Sequence, residues 1–260
     1  MDLDGTLLGR GASLVHDADG AFTLLGVRAA EALHRAGAQL VLFSGRRKAQ
    51  VAEPARLLGQ ADFIYEAGAC VVLDGEEHWL TGDLVPRDGL TIHDQIAASG
   101  APALLLERYA GRLELHTPWH VGREVSHLFR GAVDAFEADA LLADAGHAGL
   151  RLVDNGAISR PMPGLERPHV YHLVPRAASK ARAVAFHTRA RGYARPETIA
   201  VGDSREDLGA AEAVGTFWLV ANAHVDGVPL PANARVASER NGPGVYEAVL
   251  TELTAGGRTT

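Results

Sequence analysis

The sequence predicts an α/β protein, a parallel sheet covered on both faces and interrupted by a smaller α+β unit. Three observations lead there. Short apolar runs alternate with amphipathic stretches at both ends of the chain, as strands joined by crossover helices do. The middle pairs short apolar runs with few helical stretches, as an antiparallel sheet does. With 260 residues there is room for one large or two modest domains.

The elements follow in order. Residues 26–37 have helical spacing and end on Gly37. Residues 38–43 form a buried strand, 47–58 a helix and 62–65 a strand, and 71–80 a hairpin about Asp74-Gly75. In the middle, 103–108 and 112–116 read as a hairpin about Ala110-Gly111. Residues 124–129, 150–153 and 169–174 read as strands, and 134–145 as a helix. The alternation then returns: helix 180–191, strand 198–201, helix 205–214, strand 216–220 and helix 244–253. The predicted division is a core at 1–81 and 176–253, an insert at 82–175 and a disordered tail at 254–260.

Composition narrows the function. Apolar residues make up 47% and charged residues 22%, ordinary for a soluble globular protein. The formal charge of −7 provides no basic field for nucleic acid or anionic lipid, so neither is expected as a partner. No apolar run reaches the roughly 18 residues of a membrane span, and the acidic, polar start is not a signal peptide. The single cysteine, Cys70, cannot form an internal disulfide and sits in an apolar stretch, so a buried thiol and a cytoplasmic location are expected. No signal bears on oligomeric state.

Four short stretches carry chemistry. In Asp2-Leu3-Asp4-Gly5-Thr6-Leu7-Leu8, residues two apart leave a strand on one side, which aims two carboxylates at one point. One carboxylate can attack phosphorus and the other can shuttle a proton, although an acidic surface turn reads the same way. Ser44-Gly45-Arg46 lies between an apolar strand and a helix, which suits an anion site or a plain helix cap. Arg46 is open to substrate or to solvent. Lys180 follows Ser179 at a helix start, either as a fixed counter-charge or as a surface residue. Asp203 and Asp207 follow a strand's carboxyl end, where a Mg²⁺ site or a helix cap would lie.

The four stretches in this order resemble the haloacid-dehalogenase superfamily, over about residues 1–80 and 175–250. The resemblance implies a Rossmann-like core, with Asp2 as nucleophile and Asp4 as general acid/base. It implies Ser44 and Lys180 as the phosphoryl-binding pair. Mg²⁺ would be held by Asp2, the Asp4 backbone carbonyl and Asp203, with Asp207 supporting the metal and Lys180. An insert between the second and third stretches resembles a class II cap of the Cof-like and mannosyl-3-phosphoglycerate phosphatase-like group. Glu66-Ala67-Gly68-Ala69 resembles that group's ENGA stretch, with Ala67 where Asn is usual, and Asn222-Ala223 and Gly242-Pro243-Gly244-Val245 resemble its late segments.

The implied activity is Mg²⁺-dependent hydrolysis of a small phosphorylated metabolite, a sugar phosphate, through an aspartyl-phosphate. The alternatives are a phosphosugar mutase and a catalytically inactive binding module. A nucleotide-binding fold is disfavoured, since neither GxxxxGK[ST] nor GxGxxG occurs. On the cap, His116, Trp119, His120 and Arg123 are candidate substrate contacts, with Arg160 and His169 behind them. Trp119 could equally pack the insert's core, and the histidines could lie on the surface. Only Met1 precedes Asp2, whereas relatives have a buried strand there. The natural start is therefore expected a few residues upstream, and the given chain is expected to carry an apolar slot, a poorly anchored Asp2 and low stability.

Overall fold

The computed structural model describes residues 1–158, 160–225 and 227–256. Amphipathic α1 (Leu25–Arg35) leads to β1 (Leu42–Phe43), α2 (Lys48–Leu57) and β2 (Phe63–Tyr65). A hairpin of β3 (Cys70–Leu73) and β4 (Glu76–Trp79) follows; Asp74 and Gly75 turn it at φ 51° and 86°. These strands form one sheet in the order β1-β2-β3-β4, with β1 and β2 parallel.

The chain then builds α3 (Ile92–Ala98), α4 (Ala101–Arg108), β5 (Leu113–Leu115), β6 (His127–Gly131), α5 (Ala135–Asp144), β7 (Leu150–Ala157) and β8 (His169–Pro175). The strands form a separate antiparallel sheet, β5-β6-β8-β7. Its core includes Ile96, Leu105, Phe129, Leu142, Tyr171 and Leu173. Residues 103–108, read as a strand, are helical. Pro102 in the first turn and a run of strong helix formers outweigh a short apolar run that fits either structure. The sequence reading also misses α3.

The final part holds α6 (Lys180–Ala190), β9 (Ile199–Gly202), α7 (Arg205–Leu208), β10 (Thr216–Leu219), β11 (Ala234–Val236) and α8 (Asn241–Gly256). Strands β9, β10 and β11 are parallel, in the order β11-β10-β9. The helix read at 205–214 breaks after Leu208 into a 3₁₀ turn, and β11 was not read from the sequence. Helix α8 runs through Gly256, inside the stretch expected to be a disordered tail; residues 257–260 lie outside the described residues. Leu42, Val201, Val245 and Val249 pack on one face of the two core sheets, and Phe43, Ile64, Val184 and Phe217 on the other.

Met1 and Asp2 lie between these two sheets. The Asp2 N–H donates to Val201 O at 3.0 Å, and the Phe43 N–H donates to Met1 O at 3.0 Å. The Met1 ammonium donates to Val41 O at 2.8 Å, and burial pushes it down to about 5. Beneath this joint, Leu40, Val41, Val184, Val201 and Val249, with Gln39, His187, Thr188 and Glu197, line a cleft of about 520 Å³. The strand read over 38–43 has ladder geometry only at Leu42–Phe43. Cys70 is buried, and burial pushes its thiol up to about 12.

Candidate active site

Asp2, Ser44 and Asp203 all sit at one end of the core, just past β1 and β9 or beside them, where parallel strands present ligand-binding groups. Asp2 is buried, and its Oδ1 accepts from Lys180 Nζ at 2.7 Å. Lys180 Nζ also donates to Asp207 Oδ1 at 2.6 Å. Lys180 is 2% exposed and lies 5.3 Å from the centre of the Phe43 ring, so its surface reading fails.

Asp207 serves the helix and the site together. Its Oδ2 accepts from the N–H groups of Asp203 and Ser204 and from the Ser204 hydroxyl, which closes the capping box of α7. Its other oxygen holds Lys180. Asp203 accepts from the Thr6 hydroxyl at 2.7 Å. Gly5 lies against that carboxylate at φ 81°; a Cβ there would come within 2.2 Å of Asp203 Oδ2. The side-chain amides of Asn222 and Asn241 both donate to Gly5 O and tether this turn.

Ser44 does not cap α2, whose N-cap position is Arg47; its buried hydroxyl accepts from the Arg46 N–H at 3.2 Å. Behind it the chain turns through three left-handed residues, Glu66, Ala67 and Gly68, at φ 46°, 58° and 85°. Ala67 occupies a conformation that suits Asn, the residue the resemblance leads one to expect. Gly68 allows the start of α6 to pass, since a Cβ there would sit 2.3 Å from the Ser179 carbonyl.

Oxygens from Asp2, Asp203 and Asp207 lie within 4.8 Å of one another, with one ammonium among them. Burial first, and then the excess negative charge, shift the proton affinities of these groups. Burial raises Asp2 well above the usual carboxylate range, Lys180 opposing and Asp207 and Asp203 adding to the rise. Burial and then Asp207 push Asp203 up to about 7. Burial alone would lower Lys180, but Asp2 and Asp207 outweigh it and raise the ammonium. Burial would raise Asp207, but Lys180 and Ser204 hold it down. Oxygen donors with uncompensated charge fit a hard divalent cation.

Asp4 is held differently. Arg46 forks onto it, Nε to Oδ2 and Nη2 to Oδ1, both at 2.6 Å. Arg46, expected to meet substrate or solvent, is thus paired with the candidate acid/base.

A cavity of about 560 Å³ opens above this floor. Its roof comes from the intervening unit and includes His116, Trp119, Arg123, Asn155, Arg160 and His172. Trp119 is 40% exposed and stacks on His116 at 4.8 Å, outside the unit's core. His116 is buried, against the surface reading, whereas His120 does not line the cavity. Arg123 is buried too; its guanidinium donates to Gly45 O and to the Ser126 hydroxyl and lies 3.7 Å from Glu66. It holds the roof to the Ser44-Gly45 loop. His169 pairs with Asp154.

Several residues had no individual signal in the sequence. Thr6 was visible only as part of its motif. Asn155 and His172 sit in strands with nothing local to mark them. Glu66 is fully buried and accepts from the N–H groups of Glu124, Val125 and Ser126 and from the Ser126 hydroxyl.

No family model matches the chain. A phosphoglycolate phosphatase of Halobacterium salinarum is 34% identical over 113 residues, 43% of each chain, so the match spans under half of that relative. One from Pyrobaculum neutrophilum is 28% identical over 253 residues, 94% of this chain and 96% of that one. Among solved structures, the sucrose-phosphatase of Synechocystis aligns with a TM-score of 0.64 at 15% identity, covering 96% of this chain and 95% of that one. A haloacid dehalogenase-like hydrolase from B. subtilis aligns with a TM-score of 0.61 at 20% identity, covering 96% and 97%. The fold is that of the haloacid-dehalogenase superfamily, as the four stretches lead one to expect.

Proposed function

We propose that this haloacid-dehalogenase-type chain is a Mg²⁺-dependent phosphatase that cleaves a small phosphate monoester through an aspartyl-phosphate on Asp2. One observation carries the reading: Asp2, Lys180, Asp203 and Asp207 meet in a buried cluster that floors a cavity beside Ser44. Asp2, Asp203 and the Asp4 carbonyl would hold the metal, with Asp207 in support. When bound, Mg²⁺ supplies positive charge against the repulsion between carboxylate and phosphate.

The chain's own groups do the rest. Lys180 favours the ionised form of Asp2 against burial and aligns it. Ser44 and Lys180 bind the phosphoryl oxygens. An Asp2 oxygen forms a bond to phosphorus as the ester bond breaks, and the Asp4 carboxyl gives its proton to the departing alkoxide. Asp4 then takes a proton from water, whose oxygen attacks phosphorus and frees both phosphate and Asp2. For the first transfer, one Asp4 oxygen must leave Arg46. The intervening unit acts as a cap over the site. A sugar phosphate and a phosphorylated hydroxy acid both suit the cavity's volume, and the curated relatives bear the name of a phosphatase for the second class.

The test is release of inorganic phosphate from p-nitrophenyl phosphate with and without Mg²⁺. Metal-dependent release, with acid-stable labelling of the protein by phosphate at Asp2, is expected. No release with Mg²⁺ present overturns the reading, and isomerisation of a sugar phosphate without free phosphate would favour the mutase.

A further inference from the structure

We propose that His172 is a specificity-determining residue: its Nε2, on the cavity side of the roof, accepts a hydrogen bond from a hydroxyl group on the organic part of the substrate. The proposal rests on the phosphatase reading and adds to that site a residue that no motif marks.

Strand alternation places the ring. Tyr171 and Leu173 pack into the core of the intervening unit, so Val170 and His172, which alternate with them, face the other side of the sheet, and both line the cavity. His172 sits in the middle of that sheet, opposite Leu128 of β6 and Val153 of β7. It is 2% exposed, yet Nε2 is open to the cavity and has no hydrogen-bond partner among the described residues.

The neighbours of Nδ1 fix which nitrogen carries the proton. The Ser126 hydroxyl gives its single proton to Glu66 Oε2 at 2.8 Å and accepts from Arg123 Nη1 at 2.7 Å. Only a lone pair of that oxygen remains for His172 Nδ1, 3.4 Å away. Nδ1 is therefore the N–H, since the other tautomer would set two lone pairs against each other. Burial, then Arg123 and Lys180, hold this imidazole well below its ordinary value. At neutral pH the ring carries one proton, and Nε2 is left as an acceptor.

That acceptor selects what it meets. A lone pair repels a carboxylate or phosphoryl oxygen and accepts from a hydroxyl. A Cβ on Gly45 would lie 2.8 Å from His172 Nε2 and 3.7 Å from Asn155 Nδ2, so both side chains flank the loop that carries Ser44. An amide N–H beside an imidazole lone pair matches a hydroxyl, which accepts and donates at once. An acceptor buried to this degree is costly unless a donor reaches it.

The test uses two non-hydrolysable ligands, 3-hydroxypropylphosphonate and butylphosphonate, which differ in a hydroxyl against a methyl. Their affinities are measured by calorimetry on the full chain with Mg²⁺. The hydroxylated ligand is expected to bind about tenfold tighter to the wild type. That ratio is expected to fall below about threefold in His172→Phe, which keeps a ring and removes both nitrogens, and to be partly kept in His172→Gln, whose amide oxygen accepts. Nitrogen NMR of wild-type protein carrying ¹⁵N-histidine reads the tautomer directly. His172 is expected in the Nδ1–H form, with an Nε2 signal that moves on adding the hydroxylated ligand and stays on adding butylphosphonate. Equal affinities in the wild type, binding of neither ligand, a ratio unmoved by His172→Phe, or the Nε2–H tautomer overturn the role of His172. Phosphate release from p-nitrophenyl phosphate without a hydroxyl preference overturns that role and leaves the phosphatase standing. A hydroxyl preference with no release from any ester does the reverse.

Discussion

The floor and the roof of the cavity are built on opposite electrostatic plans. The floor gathers two buried carboxylates, Asp2 and Asp207, on one ammonium, with the half-buried Asp203 carboxylate beside them. The roof gathers two guanidinium groups and histidines that burial keeps neutral, with no acid among the described roof residues that line the cavity. The floor carries more carboxylate than positive charge, which suits a cation. The roof already has positive charge and can meet an anion directly. On the proposed reading, chemistry and selection are thus separated: the core performs the reaction and the intervening unit chooses what undergoes it.

The sharpest way to break this comparison is at the floor. Asp2→Asn removes the attacking oxygen and is expected to lower turnover by at least about 10³-fold, with substrate binding retained; steady-state kinetics with phosphonate binding as control check it. Lys180→Met strands two buried carboxylates. Turnover is expected to fall by about 10²-fold. Stability is expected to fall by about 3–5 kcal/mol, read by urea unfolding. A smaller loss is expected from Gly5→Ala, whose methyl displaces the Asp203 carboxylate. Mg²⁺ activation of hydrolysis should then need roughly 10- to 100-fold more metal.

The roof should answer to pH instead. Burial lowers His116 and His127 to about 4 and holds His172 well below its ordinary value. In the unfolded chain these rings take up protons near 6.5, so between about 6.5 and 4 the unfolded state binds more protons. Their contribution is complete above 6.5 and is lost as pH falls through that window. A fall in Tm of roughly 2–4 °C between pH 7 and pH 5 is expected by thermal melting, and it should be smaller in His127→Gln.

The same division explains what could be read in the sequence. The floor was legible because backbone geometry ties its residues to local pattern. Asp2 and Asp4 alternate within a motif, and Asp203 and Asp207 begin a short helix after an apolar strand. Lys180 was legible only through company, since nothing local tells a buried lysine at a helix start from a solvated one. The roof was legible in part: His116, Trp119, Arg123 and Arg160 were candidates, and Asn155 and His172 were not. Trp119, Arg160 and His172 come from two loops and a strand, and their meeting depends on how β6, β7 and β8 pair. The fold followed the same rule. The βα order of the core was read, with the strand at 38–43 and the helix at 205–214 too long and β11 missed, while Ala101–Arg108 was misread because a short apolar run suits either a strand or a buried helix turn.

The Glu66 carboxylate gives this architecture a built-in reporter. It lies in the core, yet it is the acceptor for three consecutive amide protons of the roof, those of Glu124, Val125 and Ser126. These protons meet solvent only when the roof lifts from the floor. Their rate of exchange with deuterium therefore times the opening of the cavity, and a ligand that bridges floor and roof should slow all three together.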